Sequence, residues 1–188
     1  MTACLPLRLP MAAPVDLGVL EAMLDDGRID PAGIVALWCK TRGNGLLNDF
    51  TKPWVDLLLR LALAKRLGVT EAEVAERVPI LVSGGAEGAV SPHLVVWCRG
   101  RAGAHGLLCG VARAAIPLDA LGAEGQALAT ARMVRDAMDA LGVADPAQVG
   151  LVLVRAPSRP DVPGLDARVR IAGAQGAALA LGEIARFA

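Results

Sequence analysis

The chain has 188 residues, 54% hydrophobic and 20% charged, enough to bury a core in one domain or slightly more and too apolar for a disordered chain. Its 19 basic residues balance 19 acidic ones, and only 3% of residues are aromatic. That balance, with no basic stripe, argues against a nucleic-acid surface or an anionic-membrane binder.

In chain order, "CLPLRL" alternates like a strand and ends at Pro10. Leu17, Leu20, Met23 and Leu24 recur at helical spacing, with Gly27 as a C-terminal stop. "GIVALWC" (33–39) is a short apolar run typical of a strand covered on both faces. A polar, glycine-bearing loop leads to Thr51 as N-cap, Pro53 in the first turn, and a helix with Trp54, Leu57, Leu58, Leu61 and Lys65 on one side. "TEAE" (70–73) is a capping box opening a short helix. "PILV" and "HLVVWC" are further strands, flanking the loop "SGGAEGAVSP". The order is β-α-β-α-β-β, a mixed α/β unit.

The pattern then starts over. "GLLCGVARA" reads as a strand, Ala127, Ala131, Val134, Met138 and Leu141 as a helix ending at Gly142, and "VGLVLVRA" as a strand. "DPAGIVALWCK" aligns without a gap on "DPAQVGLVLVR", from Asp30 against Asp145 through Lys40 against Arg155. Such similarity at long period indicates a repeated structural unit. The last stretch, "RVRIAGAQGAALALGEIARFA", is a helix whose Ala and Gly face suits close packing. Residues 1–104 thus form a complete unit, and residues 105–188 a truncated copy without the closing pair of strands. A half unit leaves a sheet edge and a helix face uncovered, which invites another chain.

The four cysteines, Cys4, Cys39, Cys98 and Cys109, form no CxxC pair, and two sit in apolar runs, as buried free thiols of a reducing cytoplasm would. With only His93 and His105 to join them, a Cys/His metal site has poor raw material, and no metal or cofactor is expected. The first residues lack a charged n-region and a long apolar core, and "LLLRLALAK" is interrupted by Arg60 and Lys65. A soluble, cytoplasmic protein is expected.

Two glycine-bearing strand ends carry the candidate chemistry: Lys40 in "CKTRGNG" and Ser83 in "VSGGAEG". If their strands are neighbours, both side chains emerge at one sheet edge. A serine is a weak nucleophile without a base, and a lysine is a base only where burial or another cation leaves it neutral. Gly84 and Gly85 would let backbone N–H groups approach a developing oxyanion. On the residues alone, a turn serine and a solvated lysine fit the same stretch.

"KTRGNGLLNDFTK" followed by "SGGAEGAVSPH" resembles the ring-opening amidohydrolases, the cyanuric acid hydrolase and barbiturase family, over roughly residues 5–188. The resemblance implies three repeated units around a central site, hydrolysis of a cyclic amide or ureide, and Ser–Lys pairs as the reactive groups. Lys40 and Ser83 match the first such pair, and Gly84 and Gly85 match the backbone donors to a ring carbonyl oxygen. Lys52 stands where the family has a substrate-binding arginine, keeping the charge and losing the planar fork. Arg155 replaces the second unit's lysine, and an arginine cannot be a neutral base. Ala172 stands where a second arginine is expected. The family's reactive pair comes from the middle unit, so this chain alone is not expected to rebuild the three-sided site. A second polypeptide, or self-association, is the expected means of completion. The alternative is a non-catalytic scaffold or regulatory subunit of such a hydrolase.

The remaining polar residues divide less sharply. Asn44, Asn48 and Asp49 suit either orientation of the Lys40 loop or ordinary turns and caps. Glu87 suits contact with Lys40 or solvent. His93, matching the "SPH" motif, suits a structural hydrogen bond better than catalysis. Trp38, Trp54 and Trp97 are expected in the core, and Arg159 and Asp161 on a surface loop.

Overall fold

The computed structural model describes residues 3–43, 48–85, 90–100, 107–156 and 161–187. Asn44, Glu87, His105 and Arg159 lie outside them. Two compact units result, Met1–Cys109 and Gly110–Ala188.

The first unit runs β1 (Cys4–Pro10), α1 (Gly18–Asp25), β2 (Ile34–Lys40), α2 (Thr51–Leu67), α3 (Glu71–Arg77), β3 (Ile80–Ser83) and β4 (His93–Arg99). The strands make one mixed sheet of order β1-β4-β2-β3. β4 is antiparallel to both β1 and β2, while β2 and β3 are parallel. Parallel neighbours need a crossover, and α2 with α3 supplies it. Strand alternation splits the sheet into two faces. One face presents Leu9, Leu37, Cys39, Ile80, Leu94 and Val96 to Leu20 and Leu24 of α1 and to Val55, Leu59 and Leu63 of α2. This is the main core, and each fully buried aliphatic side chain in it stabilises by about 1.5–3 kcal/mol. The other face carries a smaller cluster, Cys4, Ala36 and Trp97 with Trp38 and Cys109 packed against it. There the Trp38 and Trp97 rings meet tilted, centroids 4.6 Å apart.

Local signals set the helix ends. Thr70 accepts from Glu73 N, and the Glu73 carboxylate accepts from Thr70 N, a complete capping box. Gly27 and Gly68 sit at φ +76° and +66° beyond α1 and α2, a left-handed geometry that side-chain-bearing residues resist. α2 departs from expectation twice. Its N-cap is Phe50, one residue before Thr51, and the Asp49 carboxylate accepts from Thr51 N instead of a capping threonine. Its buried side is Val55, Leu59, Ala62 and Leu63, so Trp54, at 58% exposure, lies with Leu57 and Leu61 on the outer face and not in the core. Both sides of α2 are rich in apolar residues, and periodicity alone cannot choose between two apolar stripes.

The second unit contains α4 (Glu124–Ala140) and α5 (Leu165–Leu181). They pack closely because α5 offers glycine: a Cβ on Gly176 would run into the Ala127 carbonyl and the Thr130 side chain of α4. Gln126, fully buried, accepts from Gly122 N at 2.7 Å and donates to the Val169 carbonyl at 2.8 Å, so both ends of its amide are satisfied. The internal repeat is visible in matched details. Asp30 and Asp145 each accept from the backbone N–H two residues on, at 2.9 Å, and each caps a 3-10 turn, Pro31–Gly33 and Pro146–Gln148. Gly142, at φ +64°, repeats Gly27.

One expectation is not met. The runs 107–114 and 149–156 are extended, yet among the described residues neither joins a sheet ladder beyond a single bridge between Leu107 and Cys4. The first unit supplies the physical reason. Its β1 and β2 bond to β4 and not to each other, and the described residues of 110–187 hold no counterpart of β4. Among the described residues the architecture is therefore mixed α/β, a four-stranded mixed sheet with its helices in the first unit and a helix pair with matching local turns in the second.

Candidate functional site

β2 and β3 run side by side in register from Leu37 opposite Ile80 to Lys40 opposite Ser83. Being parallel, they release their chains at the same edge, the position where open α/β sheets bind ligands. Lys40 Nζ lies 3.3 Å from Ser83 Oγ and donates to the Gly84 carbonyl at 2.8 Å. The backbone continues the ladder one step, Thr41 N donating to the Ser83 carbonyl at 2.9 Å. The buried Thr41 hydroxyl donates to the Pro14 carbonyl and ties the end of β2 to the loop after β1. The lysine and serine are thus held at a strand tip, not on free loops.

The neighbouring glycines show why bulk is absent there. A Cβ on Gly84 would lie 3.5 Å from the Lys52 stem and 3.6 Å from an Asp49 carboxylate oxygen. A Cβ on Gly43 would run into that same carboxylate. Gly85 sits at φ +81°, which L side chains rarely adopt. Asp49 therefore stands between the two loops while capping α2, and Lys52 passes its aliphatic stem along Gly84. Lys40, Ser83, Gly84 and Lys52 come together, with Gly85 next in the chain.

His93 is the neighbour on the other side. It faces Lys40 across the β2–β4 ladder, so Ser83, Lys40 and His93 form one row across three strands. Its Nδ1 lies 2.8 Å from the Ser91 carbonyl, which can only accept, so Nδ1 carries the proton. The structural hydrogen bond expected for His93 is present; its place beside Lys40 was not foreseeable, because it depends on β4 inserting between β1 and β2. Cys39, next in sequence to Lys40, points into the core, where burial pushes its thiol up to about 11. It is protonated near neutral pH and is no rival nucleophile.

Ala172 is fully buried in the second unit, so its position presents no side chain to a ligand. Arg155 lies on the exposed extended run.

A family model described as amidohydrolase ring-opening protein matches residues 7–162. The chain belongs to the ring-opening amidohydrolases. It is 38% identical to a cyanuric acid amidohydrolase of Methylobacterium sp. (strain 4-46), over 95% of this chain and 53% of that protein. A cyanuric acid amidohydrolase of Azorhizobium caulinodans is 36% identical over 96% of this chain and 56% of its own length. A crystal structure of the cyanuric acid hydrolase from A. caulinodans superposes with a TM-score of 0.82 at 34% identity, covering 98% of this chain and 57% of that one. The chain spans about half the length of the curated relatives it matches. Among the described residues, no helix is long and apolar enough to cross a membrane.

Proposed function

We propose that this ring-opening amidohydrolase chain hydrolyses a C–N bond of a cyclic amide or ureide, with a cyanuric acid- or barbiturate-like ring, as one part of a larger cytoplasmic assembly. The observation that carries the reading is the contact of Lys40 Nζ with Ser83 Oγ and the Gly84 carbonyl at paired strand tips. In the proposed reaction Ser83 Oγ attacks a ring carbonyl carbon as its proton passes to Lys40 Nζ. The carbonyl oxygen becomes an oxyanion facing the backbone N–H groups of Gly84 and Gly85. Collapse breaks the ring C–N bond, and the leaving nitrogen takes the proton from Lys40. Water, deprotonated in turn by Lys40, then cleaves the ester and restores Ser83. Lys52 holds a second ring oxygen as a point charge. In a completed assembly where another serine performs the attack, Ser83 and Lys40 polarise the carbonyl instead. The rest of the site comes from a second polypeptide or from further copies of this chain.

The chain is purified with its co-eluting partners and assayed on cyanuric and barbituric acids. The reading expects ring opening in the assembly and a fall of about 10³-fold or more in kcat/KM for Ser83→Ala with assembly intact. Absence of activity in every assembly, or full activity of Ser83→Ala, overturns it.

A scaffold or regulatory role is the second reading, favoured by Arg155 in the place of a lysine and by the buried Ala172. It expects Lys40→Ala to leave the activity of the assembly unchanged.

A further inference from the structure

A cyclic imide or ureide offers two kinds of group in turn, carbonyl oxygens that accept hydrogen bonds and ring N–H groups that donate them. The reading above provides for the oxygens, through Lys52 and the backbone N–H groups of Gly84 and Gly85. It provides nothing for a ring N–H, and a donor that leaves water must find an acceptor or lose affinity. The strand tips hold one side chain of that kind.

His93 begins β4, which runs antiparallel to β2, so it emerges at the same sheet edge as Lys40 and Ser83. Residues directly opposed on neighbouring strands share a face, which puts Ser83, Lys40 and His93 in one row on one face. Nδ1 of His93 gives its proton to the Ser91 carbonyl at 2.8 Å. In the neutral ring Nε2 then carries a lone pair and no hydrogen. Its neighbours in the row leave that lone pair open. Lys40 Nζ is turned toward β3, donating to the Gly84 carbonyl and lying against Ser83 Oγ. Pro10, opposite His93 on β1, has no N–H to give. Among the described residues, none donates to Nε2.

The spacing of the row suits a six-membered ring. Ser83 and His93 lie two strands apart, about 9.6 Å at about 4.8 Å per step, and their side chains rise from the sheet side by side. A near-attack contact of about 3 Å, a ring about 2.7 Å across built on bonds of about 1.33 Å, and a hydrogen bond of about 2.9 Å together fill nearly all of that span. Where carbonyl and N–H alternate around such a ring, the group straight across from a carbonyl carbon is an N–H.

We propose that His93 Nε2 accepts the ring N–H directly across from the carbonyl that Ser83 attacks, with the ring bridging Lys40. This deepens the hydrolase reading above and rests on it. It makes His93 a specificity-determining residue that touches substrate and takes no proton. The substrate class narrows to six-membered imides or ureides with an unsubstituted N–H across from the attacked carbonyl. In a barbiturate-like ring two carbonyls have an N–H across from them and the third faces carbon, so only those two are opened.

Two variants separate this role from the hydrogen bond to Ser91 alone. His93→Asn keeps a donor in the place of Nδ1–H and removes the acceptor, whereas His93→Gln brings an amide oxygen to the place of Nε2 and gives up the donor. In the purified assembly turning over barbituric acid, His93→Asn lowers kcat/KM about 10–100-fold, chiefly through KM, and His93→Gln stays within about fivefold of the unsubstituted protein. Nitrogen NMR of the labelled free chain shows Nε2 without a proton, its resonance assigned by its loss in His93→Asn. An Nε2–H tautomer overturns the inference. So do equal losses in the two variants, or full activity of His93→Asn beside an impaired His93→Gln, and in each of these cases the hydrolase reading stands. No ring opening by the unsubstituted assembly overturns both.

Discussion

The two units of this chain start from the same local instructions and reach different ends. Each has an aspartate-capped 3-10 turn leading into an apolar run, a left-handed glycine after the preceding helix, and a 17-residue helix after that run. The turns, caps and helices form in both. Among the described residues a sheet forms only in the first, where β4 bonds both β1 and β2. Helices satisfy their backbone groups within themselves, whereas a strand depends on a neighbour that sequence order does not supply. The lesson bears on chemistry, because the Lys40–Ser83 contact exists through register, and register needs a complete sheet.

Substitutions in the two units sharpen this contrast. The largest expected effect is at Leu63, fully buried against the first sheet: Leu63→Ala destabilises by about 2–5 kcal/mol in denaturant titration. Leu153→Ala, in the open run, changes the free chain by less than about 0.5 kcal/mol. Comparable losses at both positions would break the comparison, since Leu153 would then already be packed. Next is Gly176→Ala, which drives a methyl into the Ala127 carbonyl and costs about 1–3 kcal/mol by melting of the second unit. A neutral result would mean that α4 and α5 are held apart. Smallest is Thr70→Ala, which removes the capping oxygen of α3 and costs about 1 kcal/mol, confined to the first unit.

Much of this was legible in the sequence, and the exceptions share a cause. The first unit's strands, its helices, the capping box at Thr70 and the glycine stops follow from residues within a few positions of one another. The pairing of Lys40 with Ser83 was legible as a condition, adjacency of two strands, which β2 and β3 meet. Three features were not. The outward turn of Trp54 depends on which of two apolar stripes the sheet takes. The row that places His93 beside Lys40 depends on β4 inserting between distant strands. That 107–114 and 149–156 join no sheet ladder among the described residues, beyond the Leu107–Cys4 bridge, depends on a neighbouring strand that no local pattern reports.

The central claim is that Lys40 and Ser83 act as one unit at the tip of the complete sheet. A double-mutant cycle on the active assembly tests it most directly, with kcat/KM measured for Lys40→Ala, Ser83→Ala and the two together. The account predicts that each single change costs about 10²–10⁴-fold and that the double variant is hardly worse than the poorer single. Losses that multiply independently, or a Lys40→Ala variant with undiminished activity, would contradict it.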